Sequence, residues 1–137
     1  LRSPEQTAND LFWMCVQNQD TVTQSLIDKH AGIIAHQRGR RGINLLFAQA
    51  AHSTVSSIAG AKAPVIFGDV DVPVLLAHGT QDRLVPYAGA VRLAHQNPQW
   101  DFATAPGAGH FLMVERPQWL ADLVNGWVRG LGRPGPG

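Results

Sequence analysis

The sequence predicts an α/β fold: two parallel strands with flanking helices, preceded by a helical layer. Three observations predict it. A continuous apolar run at 72–77 and an alternating stretch at 100–105 each read as a strand. An apolar helical stripe follows each of them, and the first sixty residues carry helical spacing alone.

In the leading region, Ala8, Leu11, Phe12, Cys15 and Val16 recur at helical intervals, as do Val22, Leu26, His30, Ile33 and Ile34. Thr21 is the expected cap of the second segment. Gly39, Arg40, Arg41 and Gly42 interrupt the pattern; Ile43, Leu46, Phe47 and Ala50 resume it, and serine-rich material at 53–57 runs out at Gly60. Short helices with loose apolar faces do not close a core among themselves. Residues 1–60 are therefore expected to be a helical cap lying on another layer, with 61–72 as connector. Arg38, Arg40 and Arg41 are read as a solvated loop between cap helices in preference to a contact for an acidic partner.

The character changes after the connector. Val72-Pro73-Val74-Leu75-Leu76-Ala77 ends at His78-Gly79 and has the pattern of a strand buried on both faces. Pro73 suits its first residue, where a missing donor is tolerated. After the polar turn Thr80-Gln81-Asp82-Arg83, a helix is expected from near Pro86, with Tyr87, Ala90, Val91 and Ala94 as its apolar side and Asn97-Pro98 as its end. Trp100-Asp101-Phe102-Ala103-Thr104-Ala105 alternates, as a strand buried on one face does, and Pro106-Gly107-Ala108-Gly109 forces a tight loop. The last helix starts at Pro117, carries Leu120, Leu123, Val124, Trp127 and Val128, and is expected to stop at Gly130. Residues 73–130 thus form the α/β part, and 131–137 a Pro/Gly tail expected to be disordered. Two strands are few for a parallel sheet, and the chain opens on Leu1. It is expected to be part of a longer product.

Composition removes several function classes. At 45% apolar and 15% charged the chain is not a disordered polyelectrolyte, and a net charge of +1 gives no reason to expect nucleic acid or a membrane as partner. No apolar run approaches the roughly 20 residues of a membrane helix, and no secretory pattern is visible, which predicts a cytoplasmic protein. Cys15 is the sole cysteine, so neither an intrachain disulfide nor a cysteine-rich zinc site can form. His30 and His36 are six apart and do not stack on one helix face, and Gly130-x-Gly132-x-x-Gly135 follows a helix and contains Pro134. No metal or cofactor is expected.

The residues that carry chemistry stand just beyond the two strands. In open α/β sheets functional groups gather at the carboxyl ends of the strands. Asp82 lies four residues past His78, and His110 five past Ala105. Parallel strands open both loops on the same edge, and neighbouring strands lie about 4.8 Å apart, so a carboxylate and an imidazole come within reach. An Asp bonded to one ring nitrogen fixes the tautomer of a His and favours the imidazolium that forms as it takes a proton. Taken singly, Asp82 also fits a turn carboxylate and His110 a loop histidine bonded to local backbone. Gly107 and Gly109 allow a sharp turn that projects the ring into a cleft.

These segments resemble the C-terminal part of an α/β-hydrolase: His78-Gly79-Thr80-Gln81-Asp82-Arg83-Leu84-Val85-Pro86, then Pro106-Gly107-Ala108-Gly109-His110-Phe111, then Glu115-Arg116-Pro117. The resemblance covers 64–129 and implies a partial α/β-hydrolase fold with Asp82 as triad acid, His110 as general base and 1–60 as the inserted cap. It implies a small ester or similar acyl substrate. Phe12, Trp13, Met14 and Phe47 then line an acyl pocket beneath the cap, or else simply pack a small helical layer; Phe111 shields the His from water, or packs. The G-x-S-x-G nucleophile elbow of that family does not occur in these 137 residues. Ser53, Ser56 and Ser57 have neither flanking glycines nor a preceding strand. The nucleophile is therefore expected upstream, in the missing N-terminal half of the fold, and this chain alone is expected to be inactive. The alternatives are a non-catalytic hydrolase-like binding scaffold, or a dehalogenase or epoxide hydrolase with an Asp nucleophile.

Overall fold

The computed structural model describes residues 2–38, 49–50, 52–53 and 70–131. Helix α1 (Pro4–Cys15) opens on a capping box. Ser3 Oγ accepts the Gln6 N–H, Gln6 Oε1 accepts the Ser3 N–H, and Pro4 takes the first helical position. A 3₁₀ turn (Gln19–Thr21) follows, then α2 (Gln24–Arg38). The cap of α2 is Thr23 rather than Thr21: Thr23 Oγ1 accepts the Leu26 N–H at 3.3 Å. Thr21 belongs to the 3₁₀ turn, where its hydroxyl donates to the Asn18 carbonyl.

The α/β part is β1 (Leu75–Gly79), α3 (Tyr87–Gln96), β2 (Asp101–Ala105), α4 (Leu112–Glu115) and α5 (Pro117–Leu131). The strands pair in parallel, from Leu75 opposite Asp101 to Gly79 opposite Ala105. Side chains alternate across this register. Ala77 and Ala105 turn to the face where they meet Ala108, Leu112, Trp119 and Leu120. Phe102 and His78 turn to the other, against the ring of Tyr87 on α3. The sheet is thus covered on both sides. The crossover from β1 through α3 to β2 delivers the two loops that matter to one edge.

Three sequence expectations shift. Strand β1 begins at Leu75, not Val72, because Pro73 lacks a ladder donor; pairing starts with the Val74 carbonyl accepting the Asp101 N–H at 2.9 Å. Leu75, Leu76, Ala77 and His78 are half-buried rather than buried on both faces, since among the described residues β2 is the sole partner of β1. Helix α5 runs through Gly130, which keeps a negative φ and so does not terminate the helix. The expectations for 39–48, including Phe47, for Ser56 and Ser57, for most of the connector and for 132–137 lie outside the described residues. Ser53 is helical and exposed.

Candidate active site

Asp82 is fixed by its own loop. Its Oδ1 accepts the N–H groups of Leu84 and Val85, both at 2.8 Å, the short-range pattern of an aspartate turn. Its Oδ2 faces the other way and accepts the Nδ1–H of His110 at 2.8 Å. One oxygen of Asp82 therefore closes its own turn and the other holds the His110 ring. The side chain is 2% exposed, against 34% for His110. A buried carboxylate beneath a half-open imidazole leaves the ring's far edge facing outward. With Nδ1 donating, Nε2 of the neutral ring is the acceptor.

A second imidazole serves the same carboxylate. His78 Nε2 donates to the Val85 carbonyl at 3.0 Å and lies 3.4 Å from Asp82 Oδ2. It ties the end of β1 to the far side of the Asp82 loop, and it shares an oxygen with His110.

The loop that carries His110 is held as tightly. Gly107 takes φ +71°, the left-handed turn that lets the chain double back after β2, and its N–H donates to Thr80 Oγ1. The Gln81 N–H donates to the Ala108 carbonyl, which joins the Asp82 loop to the His110 loop by backbone. Gly109 is a matter of space: a Cβ there would stand 2.8 Å from the Cys15 carbonyl oxygen and 3.0 Å from the Gln17 nitrogen. The end of α1 sits against this loop. Its Cys15 carbonyl accepts the N–H groups of both His110 (2.7 Å) and Phe111 (3.0 Å). Arg83, next to Asp82, donates to the Trp13 carbonyl and to Gln17 Oε1, and its guanidinium lies 5.4 Å over the Trp13 ring. Burial, and after it the negative charge of Asp82, push the Cys15 thiol above its ordinary value.

A sequence model of the alpha/beta hydrolase family matches residues 10–123 of this chain. The chain belongs to that family. The backbone also superposes on solved structures of hydrolases. A meta-cleavage product hydrolase from Pseudomonas fluorescens IP01 matches with a TM-score of 0.68 at 17% identity, covering 96% of this chain and 47% of its own. A 2-hydroxy-6-oxo-6-phenylhexa-2,4-dienoate hydrolase from Rhodococcus sp. strain RHA1 gives 0.67 at 20% identity, covering 92% and 45%. A thermophilic esterase from Thermogutta terrifontis gives 0.58 at 19%, covering 95% and 45%. The chain spans just under half the length of each, and at these identities the likeness speaks for the fold alone. A search of curated protein sequences finds no match.

Of the residues singled out by sequence, Asp82 and His110 come together and Phe111 lies beside the His110 ring at 5.9 Å. Phe12 does not reach the site surface. It is 1% exposed and edge-on to Phe111 and to His30, so it is packed between the His110 loop and α2. Trp13 is 65% exposed and lies under Arg83. Four contributors were missed: His78, Arg83, the Cys15 carbonyl and Glu115. A carbonyl leaves no trace in sequence, and neither does the burial of Glu115, whose neighbours Met113, Arg116 and Pro117 are exposed. Among the described residues no helix is long and apolar enough to cross a membrane, and no group of three or more His, Cys, Asp or Glu could hold a metal ion.

Proposed function

We propose that this chain carries the acid and base of a hydrolase site that cleaves a small ester or similar acyl compound. His110 Nε2 takes the proton of a nucleophile supplied from outside these residues as that nucleophile attacks the acyl carbon. The imidazolium then gives the proton to the leaving group, and the ring afterwards activates the water that releases the acyl group. Asp82 holds the ring by Nδ1 and compensates its transient charge. The bond of 2.8 Å between His110 Nδ1 and Asp82 Oδ2 carries this reading, because it orients the ring with its accepting nitrogen outward. Two of the solved neighbours are named for compounds that contain a carbonyl, an oxo-dienoate and an ester, which supports the acyl class. Residues 1–60 act as the cap over that pocket, and the remainder of the hydrolase sheet is the partner of this half.

The test begins with the reading frame upstream of Leu1, where a strand followed by G-x-S-x-G is expected. The longer protein should hydrolyse p-nitrophenyl esters, and His110→Ala should lower kcat/KM by about 10²–10⁴-fold. The 137-residue chain by itself should show no turnover. An unaltered rate in His110→Ala, or ester turnover that follows the purified short chain, would overturn the proposal.

A further inference from the structure

We infer that Glu115 is a positioning residue for His110, a carboxylate clamp that binds the end of α1 to the base loop and so sets the aim of the imidazole. The inference rests on the reading of His110 as the base. Glu115 is 7% exposed, and among the described residues no cation pairs with it. Burying a carboxylate is costly unless its oxygens are satisfied by donors. Here each oxygen takes one: Oε1 accepts the Gly109 N–H at 2.7 Å, and Oε2 accepts the Asn18 N–H at 3.0 Å. The two donors are 91 residues apart in sequence, one on the base loop and one just past α1.

The position of the first bond gives the clamp its purpose. Gly109 immediately precedes His110, whose own N–H goes to the Cys15 carbonyl at 2.7 Å. Two successive N–H groups are thus taken by two fixed acceptors, which leaves the backbone at Gly109-His110 no freedom to rotate. The direction in which the His110 side chain leaves the backbone follows from that. Glu115 also holds the second acceptor in place, because its other oxygen anchors Asn18, three residues past Cys15. A functional constellation must be kept within about 0.5 Å of its working geometry, which the His110–Asp82 bond alone does not ensure at the rim of a sheet. Closing a helix turn would not call for a buried carboxylate; bridging two backbone donors from separate loops does.

The experiment uses the 137-residue chain and needs no turnover. Proton NMR should show a downfield imidazole resonance from the His110 Nδ1–H, which Asp82→Asn removes. Hydrogen exchange should show slow amides at Gly109 and Asn18. Glu115→Ala should shift or broaden the imidazole resonance and speed both amides about tenfold or more, as expected on losing a bond to a charged acceptor. Glu115→Gln keeps the shape but has one acceptor oxygen for two donors, so at least one amide should quicken and the imidazole resonance should move by less. Circular dichroism identifies a Glu115→Ala chain that has unfolded, in which case Glu115→Gln decides. Wild-type values for all three signals in Glu115→Gln would overturn the clamp. A downfield resonance that survives Asp82→Asn would sink the acid–base pair instead, a failure separable from that of the clamp.

Discussion

Helices α1 and α2 are neighbours in sequence and in space, and both fall in the region read from sequence as one cap, yet they belong to the molecule in different ways. Helix α1 buries Ala8, Phe12 and Cys15, with Val16 buried just beyond its end, whereas α2 has no buried residue. The last turn of α1 offers the Trp13 carbonyl to Arg83 and the Cys15 carbonyl to His110 and Phe111. Helix α2 reaches back to α1, through the His30 ring on Phe12 and Arg38 on Thr7 Oγ1. The end of α1 is part of the frame around Asp82 and His110; α2 rides on α1. Amphipathic spacing reports that a helix has an inner face, and what that face rests on is decided elsewhere.

The largest test of this difference is a pair of truncations. Phe12→Ala removes a fully buried ring between Phe111 and His30 and should cost about 3–5 kcal/mol. Ile33→Ala on α2, where the side chain is 47% exposed, should stay within about 0.5 kcal/mol. Denaturant midpoints measure both. Equal losses would mean that α2 is as much a part of the frame as α1.

Next in size is one substitution made in both places. A methyl at Gly109 would press on the Cys15 carbonyl oxygen and the Gln17 nitrogen, backbone atoms that a rotamer change cannot move aside. Gly109→Ala should therefore destabilise by about 1–3 kcal/mol and weaken the His110–Asp82 bond. Gly32 in α2 has nothing within 4 Å of the same methyl, so Gly32→Ala should stabilise by about 0.5–1 kcal/mol through helix propensity. Opposite signs from an identical change would locate the crowded joint at the end of α1. Thermal melts of the two variants beside wild type give the answer.

The pairing of Asp82 with His110 was legible before any coordinates, because strand periodicity, a helical crossover and the offsets beyond Gly79 and Ala105 are enough to set two loops side by side. The cap of α2 was misread by two residues: Thr21 and Thr23 are the same residue type, and a 3₁₀ turn that claims one of them leaves no mark in periodicity. Phe12 was open to two readings because an apolar ring at a helix end looks alike whether it lines a pocket or fills a core. The bonds from Cys15 and Glu115 were not legible at all. Those to Cys15 and Asn18 span nearly a hundred positions, and every donor among them is a backbone N–H, which carries no sequence identity.

The smallest effect comes from the one titratable group that α1 buries. The Cys15 thiol is raised by burial and then by the charge of Asp82, so the folded chain keeps its proton to higher pH than the unfolded chain does. The sign follows from that order. Below the unfolded value of 9.0 the thiol is protonated in both states and its contribution is fully present; as pH rises past that value the unfolded chain ionises first, and the contribution is lost on the way up through the folded value. Stability measured at pH 8 and again at pH 10 should therefore fall more in the wild type than in Cys15→Ala, while Ile33→Ala should show the wild-type fall. Because only the difference between two pH values is compared, the packing lost with the sulfur cancels. Ellman's reagent supplies the companion reading: a thiol 1% exposed and raised above its ordinary value should react only through opening of α1, so Phe12→Ala should speed the reaction and Ile33→Ala should not. A fast native reaction, or one quickened equally by both variants, would mean that the end of α1 opens independently of its core, and the frame assigned to it would not hold.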